Sequence, residues 1–187
     1  MVRWQPDTRA RLQAAALELF VDRGYDETTA ADIAEAAGVT ERTFFRHFAD
    51  KREVLFDGQQ FFSKTFLDGI EAARPDEAPL AVVASALEGA ATFFPDERRE
   101  WSRGRQAIID AHPALQEREL LKLSGLAVEV AAALRDHGVA EPAATLAAQS
   151  CLTVFGVSFA TWITHGETRP FAEIAHDTLA QLRTLAG

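Results

Sequence analysis

The chain has 187 residues, a net charge of −9 at pH 7 and one cysteine. A chain of this length can bury a stable core without disulfides or metal ions. A single cysteine excludes both an internal disulfide and a cysteine-rich zinc site. The net negative charge excludes a protein that coats nucleic acid with a uniformly basic surface, but it permits a local basic patch. No apolar stretch typical of a signal peptide follows Met1, which predicts a cytoplasmic protein.

Apolar side chains recur at helical spacing along the chain, and no segment alternates for long like a half-buried strand. This pattern predicts an all-α fold of about nine helices. The first helix is expected over about residues 8–23, with Asp7 as its cap and Gly24 at its end.

The second helix is expected to begin after Thr29, because Asp32 stands at the spacing of a capping box. It should stop at Gly38, and a short third helix should then run from Thr40 to about residue 48. The pattern therefore predicts two short helices that are separated by a very tight turn.

The fourth helix is expected to start at the cap formed by Asp50 and Glu53 and to continue to about residue 73. Without a break, the segment from Lys51 to Ile70 would form a rod about 30 Å long. The sequence thus predicts one rigid helix that transmits a tilt from one half of the protein to the other.

Five further helices are expected at about 80–94, 96–110, 114–136, 142–165 and 171–185. The seventh helix carries an apolar seam with the rhythm of a helix bundle. Its members are Leu120, Leu123, Ala127, Val130 and Leu134.

The eighth helix lies in a segment, residues 142–164, that contains no Asp, Glu, Lys or Arg. This length would suffice to cross a membrane. The segment is rich in alanine and hydroxyl side chains rather than leucine, and no basic cluster follows it. It therefore predicts a helix buried in a soluble protein or in a subunit interface.

The second and third helices have the residues that a helix-turn-helix needs. Ala34 is small enough for a steep helix crossing, and Gly38 tolerates the positive φ of a short turn. Phe44 and Phe48, one turn apart, anchor the third helix on its inner side. This spacing predicts a DNA-binding motif, although a packing unit with a solvated face remains the alternative.

The positive charge is expected on the outer side of the third helix. Residues 40–52 have a net charge of +2, whereas residues 1–56 hold eight basic and ten acidic groups. Arg3, Arg9 and Arg11 are possible reinforcements at the start of the chain. A charge focused in this way suits contact with one groove of DNA.

The segment from residue 11 to residue 55 resembles the TetR/AcrR family of transcriptional regulators. The matching segments are residues 15–20, 23–25, 28–29, 32–34, 37–39 and 43–48 and Lys51. The resemblance implies a helix-turn-helix DNA-binding domain at residues 1–50 and a larger ligand-binding and dimerisation domain at residues 51–187. It also implies a homodimer that represses from a palindromic operator and is released by a small molecule.

The resemblance and the helix geometry together give the residues expected to contact DNA. These residues are Thr29, Thr40, Arg42, Thr43, Phe45, Arg46, His47 and Lys51. The family commonly has tyrosine where this chain has Phe45, so a hydroxyl contact is lost while the apolar contact is kept. The alternatives are a core position for Phe45 and cap-and-turn roles for His47 and Lys51.

The effector pocket is expected in the second half, which is acidic and rich in large aromatic side chains. Three helix faces supply its predicted lining. The predicted ligand-binding residues are Phe62, Phe66, Trp101, Arg105, Ile109, Phe155 and Phe159. They favour a small apolar or aromatic effector, with core packing as the alternative for each ring and a surface salt bridge for Arg105.

The helix at about 142–165 is expected in the dimer interface, since its small side chains permit close helix approach, and the apolar helix at about 171–185 is its expected second member. The alternative is that both helices complete the core of the monomer. No cofactor, metal site or catalytic residue is expected.

Two sequence patterns could indicate an enzyme. Residues 156–160 have the spacing of a nucleophile elbow but lie within a predicted helix, and Glu173 with His176 supplies only one of the two motifs that a di-iron bundle needs. A helical-bundle enzyme, or an interaction module with a non-functional helix-turn-helix, is the remaining alternative.

Overall fold

The computed structural model describes residues 8–186, and the side chains of residues 8–185. Within this range the chain forms ten α-helices, a 3₁₀ turn at Asp96–Arg98 and no strand, which confirms the all-α prediction. The helices are α1 Thr8–Arg23, α2 Ala30–Ala36, α3 Glu41–His47, α4 Lys51–Leu55, α5 Gln59–Ala72, α6 Pro79–Ala91, α7 Arg99–Asp110, α8 Pro113–Asp136, α9 Ala143–Trp162 and α10 Phe171–Ala186. The predicted cap Asp7 and the predicted reinforcement Arg3 lie outside the described residues.

The predicted long fourth helix is wrong, because the chain forms two helices there. α4 ends at Leu55, and α5 begins at Gln59 after Gly58, which adopts a left-handed φ of 81°. A left-handed residue interrupts the hydrogen-bond ladder of a right-handed helix. The continuous 30 Å rod and the coupling route through it therefore do not exist in this structure.

Contacts from distant residues fix the break between α4 and α5. Arg105 Nε donates a hydrogen bond of 2.7 Å to the carbonyl of Leu55, the last residue of α4. The guanidinium of Arg9 on α1 pairs with the carboxylate of Asp57, at 2.8 Å from Nε to both oxygens. These contacts satisfy the end of α4 and hold the following turn against α1.

The described residues divide into two compact units. The amino-terminal unit comprises the described chain up to Asp57 together with Gly104–Glu117, so it extends beyond residues 1–50. Its core is formed by buried apolar side chains of α1 to α4 with three from the later segment. The fully buried members include Leu12, Ala16, Ile33, Phe44, Val54, Ile109 and Leu115.

The bundle unit comprises Gly58–Arg103 and the described chain from Arg118 onward. α5 crosses α6 at close range, and α9 and α10 pack on α6. The seam on α8 is buried at Ala127, Val130 and Leu134, but Leu120 is 67% exposed, so its predicted place in the seam is wrong. The part of α8 that packs on the core of the bundle unit begins with the partly buried Leu123 and continues with the buried Leu126, whereas Leu115 near the start of α8 belongs to the core of the amino-terminal unit.

Of the described helices, only α9 has the length and apolar composition to cross a membrane. One side of this helix is buried in the bundle unit through residues such as Cys151, Phe155 and Trp162. Core helices of soluble proteins have the same composition. The helix therefore does not indicate a membrane protein.

Candidate functional site

The helix-turn-helix begins at a capping box on α2, as predicted. The Asp32 backbone N–H donates to the Thr29 hydroxyl at 3.1 Å, and the Thr29 backbone N–H donates to the Asp32 carboxylate at 2.7 Å. Hydrogen bonds from the hydroxyl and then the backbone of Thr29 hold the pKa of Asp32 below its usual value. The Thr29 hydroxyl is therefore already engaged in fixing the start of α2.

The turn between α2 and α3 reverses the chain within a few residues. The N–H of Val39 donates to the carbonyl of Ala34, and the N–H of Gly38 donates to that of Glu35, both at 2.9 Å. Gly38 has a φ of 68°, which a side chain would disfavour. This double hydrogen bond is a Schellman motif, and it sets the angle at which α3 leaves the turn.

α3 is held by its inner face and is exposed on its outer face. Thr40 caps the helix by accepting a hydrogen bond from the Thr43 N–H at 3.2 Å. Phe44 is fully buried and Phe48 is almost so, whereas Phe45 is 51% exposed. The outward direction of Phe45 excludes a core position for this ring and leaves an apolar surface at the centre of the helix.

Two arginines flank the exposed ring. Arg42 and Arg46 are exposed, and neither forms an ion pair with any of residues 8–186. Arg52, by contrast, is paired with Asp50 at 2.6 Å, and Asp50 also caps α4. The outer face of α3 therefore presents two available guanidinium groups on either side of an aromatic ring.

Lys51 contacts the loop before α2, as the cap-and-turn alternative for this residue implies. Its Nζ donates to the carbonyls of Tyr25, Asp26 and Thr28 at 2.7, 3.2 and 2.9 Å, and it lies 4.4 Å from the centre of the Tyr25 ring. Burial, assisted by Asp50, raises the pKa of Tyr25 to about 12. Because all three N–H bonds of the ammonium are in use, a phosphate contact would require one of them to break.

His47 lies on the side of α3 between the buried and exposed faces. Its Nε2 is enclosed and has no hydrogen-bond partner in the described part of the chain, and its ring lies 6.5 Å from that of Phe48. His47 is therefore next to the exposed surface, but Nε2 does not face solvent.

Four of the predicted ligand-binding rings lie together in the bundle unit. The Phe62 and Phe66 rings lie 5.2 and 5.6 Å from that of Phe155, which stacks on Phe159 at 5.9 Å. The other members of this aromatic cluster were not among the predicted ligand-binding residues. They are Phe93, Phe94, Trp162 and Phe171.

The other three predicted ligand-binding residues do not join this aromatic cluster. Ile109 is buried in the core of the amino-terminal unit. Arg105 belongs to that unit as well, where its Nε donates to the carbonyl at the end of α4 and its guanidinium lies 5.2 Å from the Phe56 ring. Trp101 is half-buried in the bundle unit, with the Arg98 guanidinium 4.9 Å from its ring. The seven predicted residues therefore do not form one pocket.

The two sequence patterns that could indicate an enzyme lie on α9 and α10. Residues 156–160 lie in the middle of α9, without the strand that a nucleophile elbow requires. Glu173 and His176 are both exposed on α10, and residues 8–186 contain no group of three side chains that could hold a metal ion.

Comparison with known proteins identifies the helix-turn-helix. The family model for "Bacterial regulatory proteins, tetR family" matches residues 12–57. The HTH-type transcriptional regulator TcmR of Streptomyces glaucescens is 44% identical over 80 residues, which are 43% of this chain and 35% of that protein. The chain thus matches about a third of the length of this relative.

The likeness to two other proteins extends over most of the chain. The HTH-type transcriptional repressor BepR of Brucella suis is 26% identical over 174 residues, 86% of this chain and 82% of that protein. The structure of Thermus thermophilus FadR, a TetR-family repressor in complex with lauroyl-CoA, has a TM-score of 0.56 at 24% identity and covers 94% of this chain and 93% of that one. These likenesses indicate a transcriptional regulator and not an enzyme. The helix-turn-helix segment, residues 12–57, is therefore that of the TetR family of transcriptional regulators, and the described chain shares the all-helical fold of a TetR-family repressor.

Proposed function

We propose that the protein is a cytoplasmic repressor that binds a palindromic operator as a homodimer and is released by a small apolar or aromatic effector. The observation that carries the proposal is the outer face of α3, where Arg42 and Arg46 flank the exposed ring of Phe45. Guanidinium groups can read guanine or bind phosphate, and an aromatic ring can contact a thymine methyl. Thr43 lies beside these residues on the same helix.

The effector site is proposed at the aromatic cluster of the bundle unit, where Phe62, Phe66, Phe155 and Phe159 meet. Ligand sites are commonly lined by such apolar rings between the helices of a bundle. FadR, which was solved with lauroyl-CoA bound, supports a small-molecule effector, and the repressor BepR supports repression as the mode of action.

The dimer is proposed to form through α9 and α10. The exposed side of α9 includes Leu146, Gln149, Thr153 and Val157 and has no charged residue. Leu185 near the end of α10 is 86% exposed. An uncharged helix face of this length is typical of a subunit interface, and two such helices from each subunit would form a four-helix bundle.

The operator can be identified by selection from a pool of random DNA duplexes with the full chain. We expect the selected sites to be inverted repeats, because a symmetric dimer presents two α3 helices related by a two-fold axis. Recovery of no preferred sequence, together with affinity that does not depend on salt, would instead support an interaction module with a non-functional helix-turn-helix.

Replacing Arg42 with alanine is expected to weaken binding to the selected operator by about 1–3 kcal/mol, provided that its guanidinium reads a guanine. Fluorescence anisotropy with the operator and with scrambled DNA measures the effect. Arg74→Ala is the control, since Arg74 is an exposed arginine of the bundle unit. Unchanged affinity for both DNAs would remove Arg42 from the interface.

Replacing Phe45 with alanine is expected to weaken operator binding while leaving the melting temperature nearly unchanged, because about half of this ring is already exposed. Phe45→Tyr should bind at least as well as the wild type, since the added hydroxyl can reach a phosphate. Calorimetry and the same anisotropy titration separate the two effects. A large loss of thermal stability in Phe45→Ala would contradict a surface role for the ring.

Replacing Val157 with glutamate is expected to raise the dissociation constant of the dimer at least about tenfold, because an unpaired charge would be buried in the interface. Val157 is 52% exposed on α9, so the monomer should still fold. Analytical ultracentrifugation measures the change, with Leu120→Glu as the control, because Leu120 is similarly exposed on α8. Equal dissociation constants for the two variants would place the interface elsewhere.

A further inference from the structure

Two polar atoms of the aromatic cluster have no hydrogen-bond partner. They are the hydroxyl of Ser158 and the indole Nε1 of Trp162, and neither finds a donor or acceptor among residues 8–186. Both residues are completely buried, with 0% of their surface exposed. Buried polar groups without partners are rare in native proteins because burial removes their hydrogen bonds to water. Each therefore requires an explanation.

Other hydroxyls of the same helix bond to their own backbone. Thr153 donates to the carbonyl of Gln149 at 3.0 Å, and Thr161 donates to that of Val157 at 2.9 Å. This contact, four residues back, is the usual one for a hydroxyl within a helix. Ser158 lies between these two threonines and does not make it. Its hydroxyl therefore remains available for another group.

The two residues lie on one face of α9, and aromatic rings pack around Trp162. Ser158 and Trp162 are four residues apart, which puts them on the same side of the helix. The Trp162 ring lies 5.5 Å from that of Phe94 and 6.2 Å from those of Phe159 and Phe171. These hydrocarbon rings offer no oxygen or nitrogen as an acceptor.

The nearest cation is already engaged and could not neutralise an anionic ligand. The Arg99 guanidinium lies 5.0 Å from the centre of the Trp162 ring. Its nitrogens donate to the carbonyls of Trp162, Glu167 and Arg169 and to the carboxylate of Asp96. A carboxylate among the rings would thus be buried without a free counter-charge, which is strongly unfavourable. The cluster favours a neutral acceptor.

We propose that Ser158 and Trp162 together recognise a carbonyl oxygen of a neutral aromatic effector. The indole N–H is only a donor, the serine hydroxyl can donate, and one carbonyl oxygen has two lone pairs to accept both. Aromatic hydrocarbons lack this acceptor, and organic cations bring further donors instead. The inference rests on the proposed function in that it places the effector in the same aromatic cluster.

Phe159 provides the way in for such a ligand. It is half-buried, whereas Trp162 beside it is fully buried, and it stacks on Phe155 with an angle of 23° between the rings. The proposal requires that the Phe159 side chain rotates to another staggered rotamer and so makes room for a ring next to Trp162. A flat ligand then replaces the ring that moved and places its oxygen near the two donors.

The test uses fluorenone and fluorene, which share a three-ring frame and differ in a carbonyl in place of a methylene group. Isothermal titration of the full-length protein without DNA measures both affinities. We expect fluorenone to bind about tenfold more tightly than fluorene. Ser158→Ala and Trp162→Phe should each reduce this preference, whereas Ser150→Ala, a half-buried serine earlier on α9, should keep it.

Thermal stability supplies an independent readout. Replacing an unpaired buried hydroxyl by hydrogen removes an unsatisfied polar atom, so Ser158→Ala is expected to raise the Tm of the ligand-free protein. If Ser158→Ala raises the Tm but lowers the affinity for fluorenone, the serine acts in ligand recognition and not in packing. Because Trp162→Phe leaves a smaller ring in the core, Ser158→Ala decides the result if that variant folds poorly.

Three outcomes would overturn the inference. They are equal affinity for the two probes, no measurable binding of fluorenone, and a Ser158→Ala variant with a lower Tm that still prefers fluorenone, as expected if an internal water joins the pair. None of these affects the operator titration, which contains no ligand. Failure of the operator selection would overturn the proposed function instead, so the two failures are distinguishable.

Discussion

Replacing Gly69 with alanine is expected to reduce the free energy of unfolding by about 3 kcal/mol. A Cβ atom on Gly69 would lie 2.2 Å from the carbonyl oxygen of Ser85 and 2.9 Å from the Cα of Ala86. Both are backbone atoms of α6, so no side-chain rotation relieves the overlap, and α5 and α6 must separate. Gly89 on α6 stands in the same relation to α5, with a built Cβ 2.2 Å from the carbonyl oxygen of Thr65.

Chemical denaturation measures this change, and Gly125→Ala is the matched control. Gly125 lies within α8 and has no atom within 4 Å of a built Cβ, so alanine there should stabilise the helix by about 0.5–1 kcal/mol. The two substitutions are chemically identical and should have opposite signs. A Gly69→Ala variant as stable as the wild type would show that α5 and α6 do not cross as closely as described.

Replacing Arg99 with methionine is expected to cost about 3–5 kcal/mol of stability. Arg99 is only 8% exposed, and its guanidinium donates to three carbonyls, those of Trp162, Glu167 and Arg169. Methionine fills much of the same volume but leaves these acceptors unpaired where α9 ends and the following loop begins. Asp96 is mostly exposed, so the loss of this ion pair adds little.

Lysine at position 99 should not restore the stability, because a single ammonium cannot reproduce the planar fork of a guanidinium. Arg74→Met is the control: the Arg74 side chain is 87% exposed in its pair with Glu77, and its loss should cost less than about 1 kcal/mol. Thermal and chemical unfolding of the three variants give the comparison. If Arg99→Lys were as stable as the wild type, the positive charge alone, and not the set of directed hydrogen bonds, would stabilise this end of α9.

Local signals in the sequence predicted the helix-turn-helix in detail. The capping box of Thr29 and Asp32, the positive φ of Gly38 and the buried pair Phe44 and Phe48 all follow from spacings of a few residues. Each depends on the backbone or on neighbours in the same helix, which a sequence displays directly.

The end of α4 depends on residues distant in sequence. Asp57 followed by Gly58 is a turn signal that was available in the sequence. The apolar periodicity continues across it, however, and the contacts from Arg9 and Arg105 that close α4 come from 48 and 50 residues away. The partners of Lys51 could not be predicted for the same reason, since the three carbonyls lie on the loop before α2.

Helical periodicity shows which side chains share a face, but not what that face packs against. This is why the pairs Phe62 with Phe66 and Phe155 with Phe159 were correctly predicted to be neighbours on their helices. Ile109 shares a face of α7 with Trp101 yet belongs to another core, because Gly104–Glu117 joins the amino-terminal unit. Unpaired buried donors such as Trp162 Nε1 leave no trace in a sequence at all.

The amino-terminal unit is assembled from two separate stretches of the gene, and this limits how it can be exchanged. A chimaera joined after residue 57 would import foreign residues at the positions of Ile108, Ile109 and Leu115, all buried in that core. Regulators with new DNA specificity are therefore better made by substituting the outer face of α3 than by transplanting the first quarter of the chain. Recombination between relatives should preserve function only when both stretches come from one parent.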